Sequence, residues 1–295
     1  MNCLVTGAAG FIGSAIVRKL IREGNTCTTI DNLSTGDVCQ IPKGCKFIHG
    51  SVADKLLIDS LKNEKFDVII HIAGQSSGEI SFDDPVYDLQ TNTQSTLLLL
   101  KLAQEINCKK FIYASSMSVY GEQNPPVCNE DTLTIPKSFY AVGKLASENY
   151  MRIFAEQGIT CTALRFFNVY GVGQNLKNLR QGMASIFLAM AIKNKHIHVK
   201  GSKDRFRDFV YIDDVVEAVM KAMNRTEGYQ VYNVCTGVPT TVESVVDIIR
   251  QNLSYNVTVE YSGGTPGDQF GIYGNNEKIM KELQWEPNIW SCVKI

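Results

Sequence analysis

Asn2-Cys3-Leu4-Val5-Thr6-Gly7-Ala8-Ala9-Gly10-Phe11-Ile12-Gly13, with Asp31 further along, is the stretch whose reading decides the fold. A short apolar run leads straight into a glycine-spaced turn, and the turn opens an amphipathic segment. Between Ser14 and Glu23, Ala15, Ile16, Leu20 and Ile21 fall near one face while Arg18, Lys19 and Arg22 do not. Strand, glycine turn and helix in that order leave bare backbone N–H groups at a helix N-terminus. A pyrophosphate there meets unpaired donors and the positive end of the helix dipole. Glycine is needed because a Cβ would hold the phosphate away. Asp31 ends the next apolar run, and a carboxylate at that offset accepts hydrogen bonds from the adenosine ribose hydroxyls and repels a 2′-phosphate. A glycine cluster alone is also a tight strand–helix turn, and Asp31 alone a turn residue before Asn32. Strand, helix and acid together point to a dinucleotide, NAD rather than NADP.

Outward from this stretch, the first half alternates apolar runs with amphipathic ones. Strands are expected at Asn2–Thr6, Cys27–Ile30, Lys46–His49, Asp67–Ile72, Lys109–Ser115 and Thr160–Phe166. Helices are expected at Ile12–Glu23, Lys55–Leu61, Asp88–Ile106 and Tyr140–Glu156. Such alternation means an α/β fold, a Rossmann-type doubly wound parallel sheet, with ligand at the carboxyl ends of the strands. After Asn168 the pattern loosens. Tyr229–Val234 reads as a further strand and Val242–Asn252 as a helix. The expected division is 1–167 as a NAD-binding Rossmann domain, with segments near 208–236 returning to it, and 168–295 mainly as a smaller α/β substrate-binding lid.

Composition narrows the class. At 295 residues the chain can bury a core without staples. Its formal net charge of −1 gives no reason to expect a nucleic acid or an acidic membrane as partner. No apolar run is long enough to span a bilayer, and no leader precedes the first strand. The nine cysteines contain no C-x-x-C pair, so no metal ribbon or thioredoxin-like motif is expected. Several sit in apolar runs, which reads as buried free thiols in a reducing compartment, the cytoplasm.

A second signal is Tyr140-Ala141-Val142-Gly143-Lys144. At i and i+4 on a helix the hydroxyl and the ammonium share a face. A tyrosine is a poor base, and a nearby cation is expected to favour its phenolate. The pair alone could be an exposed helix pair. Ser115-Ser116, closing the apolar run Phe111-Ile112-Tyr113-Ala114, adds a hydroxyl at the end of a central strand. Ser116, Tyr140 and Lys144 then form a proton-transfer set beside a nicotinamide.

With these residues in view, the chain resembles the extended short-chain dehydrogenase/reductase family from Asn2 to about Pro287. The glycine motif, Asp31-Asn32-Leu33-Ser34-Thr35-Gly36, Asn92, Ser116 and Tyr140/Lys144 carry the resemblance. Leu164-Arg165-Phe166-Phe167-Asn168-Val169-Tyr170-Gly171 and Arg207-Asp208-Phe209 extend it. In pattern it is closest to the NAD-dependent nucleotide-sugar epimerases and dehydratases, above all the UDP-hexose 4-epimerases. The resemblance implies a NAD site drawn from Gly7, Gly10, Phe11, Ile12, Gly13, Asp31, Asn32, Ser34, Thr35 and Gly36. Ser51, Val52, Ile72, Ala73, Gly74, Asn92, Ser115, Tyr140, Lys144 and Phe166 complete it. It implies a nucleotide-sugar site of Asn168, Arg207, Ser116, Tyr140 and Ile272, with Asn168 and Arg207 on the diphosphate. It also implies a homodimer packed through helices near 90–105 and 140–156.

An anion site has independent support. From Lys177 to Arg207 eight basic residues face the single acid Asp204, although most of these lysines are expected to be a solvated surface. Departures from the family also matter. Where dehydratases carry an Asp-Glu pair after the catalytic hydroxyl, and decarboxylases a Glu, this chain has Met117 and Ser118. Both reactions lose their acid, while C4 epimerisation needs only hydride transfer and one acid/base. The family's second phosphate-binding arginine is Thr265 here, and the chain stops soon after Trp285-Glu286-Pro287. The alternatives are another nucleotide-sugar oxidoreductase (dehydrogenase, 4-ketoreductase or epimerase at another carbon, on a GDP-, CDP- or dTDP-sugar) and a non-enzymatic dinucleotide sensor. Retention of Tyr140 and Lys144 counts against the sensor.

Overall fold

The computed structural model describes residues 1–180, 182–264 and 270–289. Seven parallel strands form the central sheet: β1 Asn2–Thr6, β2 Thr26–Asp31, β3 Lys46–His49, β4 Val68–His71, β5 Lys110–Ser116, β7 Thr160–Phe166 and β11 Tyr229–Val234. Their order is β3-β2-β1-β4-β5-β7-β11. The direction of winding reverses between β1 and β4, and a crevice opens there at the carboxyl ends.

Both faces of the sheet are covered, so its central strands are buried continuously rather than at every second residue. Cys3 and Val5 pack on one face with Ile16, Val17 and Leu20 of α1 (Phe11–Arg22) and Val215, Val216 and Val219 of α8 (Ile212–Ala222). Leu4, between them, packs on the other face with Leu99 and Leu102 of α5 (Ser95–Glu105) and Met151 of α6 (Phe139–Glu156). That alternation is the two-residue period of a strand. In α1 the fully buried apolar set is Ile16, Val17 and Leu20; Ile21, expected on that face, is only half-buried.

The segment expected as one helix from Asp88 to Ile106 is broken. The short helix α4 (Pro85–Asp88) runs into a π-helical turn, Leu89–Gln94, before α5 begins. Wide turns of this kind recur at functional sites. The hydroxyls of Ser95 and Thr96 take up the Thr91 and Asn92 carbonyls, at 2.6 Å each. Asn92 is thereby turned inward and fully buried.

The second half builds three small sheets. Strand β10 (Phe206–Tyr211) pairs parallel with β8 (Asn168–Tyr170) and antiparallel with β12 (Pro239–Thr241). Strand β9 (His196–Lys200) pairs with β13 (Thr258–Ser262), and β6 (Val127–Cys128) with β14 (Tyr273–Gly274). Helices α7 (Met183–Asn194) and α9 (Val242–Gln251) extend the core beside α1 and α8, so one apolar cluster runs from Cys3 to Trp285. Strand β11, from this half of the sequence, pairs with β7 along its whole length. The Trp285 indole N–H donates to the Asp214 carbonyl at 2.8 Å and ties the last described segment to α8. Among the described residues no helix is long and apolar enough to cross a membrane.

Candidate active site

The glycine turn is fixed by close approach. A Cβ on Gly13 would sit 2.1 Å from the Gly7 carbonyl oxygen, and one on Gly7 (φ +78°) would sit 2.8 Å from the Ala73 nitrogen. Helix α1 therefore starts hard against the end of β1, and that end hard against the end of β4. No side chain caps the N-terminus of α1. Asp31 is nearly buried. Its Oδ2 accepts from the Ala9 N–H at 2.9 Å and its Oδ1 from the Leu33 N–H at 2.8 Å. The residue serves the local turn and still presents remaining lone pairs beside the glycines.

Beneath the turn lies a closed hydrogen-bond chain. The Thr6 hydroxyl oxygen accepts from the Ile72 and Ala73 N–H groups, both at 3.1 Å. Its proton is then directed at His71 Nδ1, 2.8 Å away. His71 Nε2–H is left to donate to Ser95 Oγ at 3.1 Å, since that hydroxyl gives its own proton to Thr91. This network assigns the tautomer. Burial, aided by the charge of Lys144, pushes the His71 imidazole down to about 3, so the ring is neutral.

These ends enclose an open groove. Of the residues expected from sequence, Gly7, Gly10, Phe11, Ile12, Gly13, Asp31, Asn32, Ser34, Thr35, Gly36, Ser51, Val52, Ile72, Ala73 and Gly74 all line it. Gly50, which leads the expected segment Gly50-Ser51-Val52, lines it as well, and Ser76, Tyr87, Thr91, Gln174, Asn175 and Asn178 line it without having been foreseen. The last three belong to the loop after β8, and nothing local in the sequence marks that loop as crossing the groove. Glycines where a Cβ cannot fit, a carboxylate at the end of β2 and a lining drawn from the ends of β1, β2, β3 and β4 together fit a dinucleotide.

Ser116, Tyr140 and Lys144, with Asn92, Ser115 and Phe166, are not among the residues that line this groove; the first three converge where β5 ends beside α6. Ser116 closes β5, and its hydroxyl favours the Tyr140 phenolate. Its Oγ accepts from the Ser118 hydroxyl at 3.0 Å and from the Ser118 N–H at 3.2 Å. Ser115 faces the other way, and its hydroxyl donates to Glu148. Successive strand residues point to opposite faces, so of the two hydroxyls it is that of Ser116, not that of Ser115, which bears on Tyr140. Lys144 is buried, donates to the Ala114 carbonyl at 2.8 Å, and lies 5.5 Å from the Tyr140 ring centroid. On sequence alone Lys144 is expected to lower the tyrosine. Here burial, joined by the charge of Asp88, outweighs the Ser116 hydrogen bond and pushes Tyr140 up to about 12. Burial pulls Lys144 down to about 8. Phe166 lies beside Ser116 across the β5–β7 pair.

The second half supplies the other wall. Asn168 Nδ2 donates to the Asp208 carbonyl at 3.1 Å. Arg207 is almost wholly buried, and its Nη1 donates to the carbonyls of Phe206 (2.7 Å) and Phe270 (3.1 Å). Burial lowers its guanidinium to about 10, with Glu122 opposing. Ile272 is fully buried in an apolar cluster with Val119, Tyr120, Cys128, Phe167 and Cys235. Thr265, expected where relatives hold a second arginine, lies outside the described residues. Most of the basic run is spent on the surface: Arg180 pairs with Asp83, Lys200 with Glu79 and Lys203 with Glu243. Asp208 emerges as a hub not foreseen from sequence. Its buried carboxylate accepts from the N–H groups of Thr236, Gly237 and Gly274 and from the Thr236 hydroxyl, at 2.7–3.1 Å.

Residues 3–235 match the NAD dependent epimerase/dehydratase family. The chain is 31% identical over 296 residues to the UDP-glucose 4-epimerase of Mycolicibacterium smegmatis, covering 98% of this chain and 94% of that one. It superposes on the Thermotoga maritima UDP-glucose 4-epimerase solved with UDP-glucose with a TM-score of 0.93, at 33% identity, over 98% of this chain and 94% of that one. For the Thermus thermophilus UDP-glucose 4-epimerase solved with NAD the values are 0.92, 30%, 100% and 96%.

Proposed function

The chain belongs to the NAD-dependent epimerase/dehydratase family, and from that premise we propose that its substrate is a UDP-hexose, interconverted at C4 between gluco and galacto forms. It is an NAD-dependent nucleotide-sugar epimerase. The observation that carries the C4 reading is the Ser116–Tyr140–Lys144 cluster, with no acid beside it at 117 or 118. Ser118 spends its hydroxyl on Ser116.

NAD, when bound, supplies an acceptor and later a donor of hydride at the sugar carbon. The protein's own part is the proton. Tyr140 takes the C4 hydroxyl proton and returns it after the 4-keto sugar has turned over. Ser116, its oxygen already held by Ser118, directs its own proton toward that reacting oxygen. Lys144 supplies the positive charge that makes a phenolate accessible in a buried site. Asp31 takes the ribose hydroxyls, with the glycine turn at the pyrophosphate. Asn168 and Arg207 hold the substrate diphosphate, so that the sugar alone is free to rotate. The working division is residues 1–167 with the returning strand β11 for NAD, and the remainder of 168–295, β10 and its Asp208 included, for the sugar nucleotide.

The reading extends to a cytoplasmic homodimer. The eight cysteines of the described residues are free thiols, which suits a reducing compartment. Val86, Leu89, Val142 and Ile153 are exposed apolar side chains on α4, the π-helical turn and α6. The exposed positions of α5 are polar, as at Lys101 and Gln104, so within the expected face of 90–105 and 140–156 it is α6 that supports the reading. Val142→Glu should convert the dimer to monomer in size-exclusion chromatography.

The test of the reaction is to incubate purified protein with UDP-glucose, UDP-galactose and their N-acetyl forms, without added cofactor, and to follow the anomeric protons by NMR. Interconversion that retains a C4 deuterium label is expected. Stoichiometric NADH build-up, or turnover confined to another nucleotide sugar, would replace this reading with that of another nucleotide-sugar oxidoreductase.

A further inference from the structure

Lys144 is a buried cation, and the charges around it do not balance until Asp88 is included. Glu148, one turn along α6, is engaged by Arg165 of β7 through two bonds, at 3.0 and 2.7 Å, and also takes the Ser115 hydroxyl. Its charge is compensated. His71, from β4, is neutral. Tyr113 of β5 offers only its ring face, 4.7 Å from Nζ, and Tyr140 lies on the same helix as the lysine. Asp88, at the end of α4, is the remaining charge.

The carboxylate of Asp88 is 1% exposed. Its Oδ2 accepts from Gln75 Nε2 at 2.8 Å and from Asn92 Nδ2 at 3.2 Å, both neutral amides. Its Oδ1 has no hydrogen-bond partner among the described residues. Helix α6 passes this carboxylate at Gly143, the residue before the lysine. A Cβ there would lie 3.5 Å from Asp88 Oδ1 and 3.0 Å from Thr93 Oγ1. The π-helical turn that begins at Leu89 and the small residue in α6 together bring a carboxylate with no cationic hydrogen-bond partner against α6 at the residue before Lys144.

We propose that Asp88 is the counter-charge of Lys144, a positioning residue that holds the ammonium behind Tyr140 and thereby sets the pH window of proton transfer. The proposal rests on the epimerase reading of Tyr140 and Lys144. Burial favours loss of the lysine proton, and Asp88 is the leading group opposing it, ahead of Glu148. The same negative charge disfavours the Tyr140 phenolate. Removing it should lower both pKa values. Tyr140 must lose its proton and Lys144 must keep it, so both limbs of the activity profile should move to lower pH. A residue that merely packed the helices would lower the height of the profile and leave its position alone.

Asp88→Asn keeps the shape and removes the charge, Asp88→Ser removes the charge and leaves room for water, and Asp88→Glu restores the charge. Each is studied as the NAD-loaded protein with two readouts. One is the pH profile of kcat with UDP-galactose. The other is the titration of Lys144 by its 13Cε shift in lysine-labelled protein, assigned with Lys144→Arg. A fall in the Lys144 midpoint of about one pH unit in the Asn and Ser variants, with recovery in the Glu variant, is expected. An unmoved midpoint in either neutral variant overturns the proposal even if activity is lost. If the wild type turns over no UDP-sugar, the epimerase reading fails, and the NMR titration still decides whether Asp88 is the counter-charge.

Discussion

The two walls of the groove are built by different means. The cofactor wall is made mostly of backbone at the ends of β1, β2 and β4, fixed by contacts too close for a side chain, as at Gly7 and Gly13. The sugar wall is made of side chains held by buried polar hubs: Asp208 with four donors, and Arg165 reaching from Glu148 to Tyr120, which in turn bonds Asn233. One wall fails when a group is added and the other when a group is taken away. The cofactor wall should therefore respond to substitution in binding and the sugar wall in turnover and stability, and four substitutions test whether the two walls separate in that way.

The largest effect belongs to Tyr140, where the walls meet. Tyr140→Phe should fold, keep its NAD and lose about 10²–10⁴ in kcat. Near-wild-type epimerisation by NMR would remove Tyr140 from the proton path. Next is Asp208→Ala, which strips one acceptor from four buried donors. It should cost on the order of 3 kcal/mol in thermal unfolding. KM for the sugar nucleotide should rise as β10 loosens from β12 and β14, while NAD affinity measured by fluorescence stays within a factor of about two. Equal loss of both affinities would show that the walls are one unit. Third is Asp31→Ala on the opposite wall. The carboxylate is nearly buried and disfavours a 2′-phosphate, so its removal should narrow the preference for NADH over NADPH by about tenfold, or ~1.4 kcal/mol. The thermal midpoint without cofactor should fall less than in Asp208→Ala, because two donors rather than four lose their acceptor. An unchanged preference would place the discrimination at Asn32 or Ser34.

The same contrast explains what was legible in the sequence. The cofactor wall follows local rules: a glycine at a fixed step after a strand, an acid at the end of the next strand. Each such residue can be placed by counting from its own element. The side chains of the sugar wall depend on which distant strands pair. Arg207-Asp208 is visible as a motif, yet the chain alone does not reveal that Asp208 meets Gly274 across the β10–β14 contact. Ile272 was assigned to the sugar and lies fully buried beneath the site, because burial is set by β14 packing on β6 rather than by anything near Ile272. The Ser115/Ser116 parity was open for the same reason: alternation is certain, but which face is which needs the sheet. The break in the helix from Asp88 to Ile106 carries no glycine or proline to announce it after Pro85. It is sustained by hydroxyls of Ser95 and Thr96 that sequence patterns treat as ordinary polar surface.

The smallest expected effect lies on the loop that joins the two walls. Gln174, Asn175 and Asn178 come from the second half of the chain but line the cofactor groove. Their loop is pinned at Arg180, whose guanidinium pairs with Asp83 at 2.6 Å. Both partners are about half exposed, so solvent and salt screen the pair, and such pairs contribute little on their own. If this loop belongs functionally to the cofactor wall, Arg180→Ala should speed NAD release by about two- to five-fold at low salt, read by stopped-flow fluorescence. Wild-type release should rise toward the variant's rate as salt is raised, because the Debye length shrinks to about 3 Å at 1 M. The double exchange Arg180→Asp with Asp83→Arg should restore slow release at low salt, whereas each single reversal should be faster than Arg180→Ala. If none of these changes alters NAD release while KM for the sugar nucleotide shifts, the loop belongs to the sugar wall. The boundary between the walls would then run on the other side of Gln174.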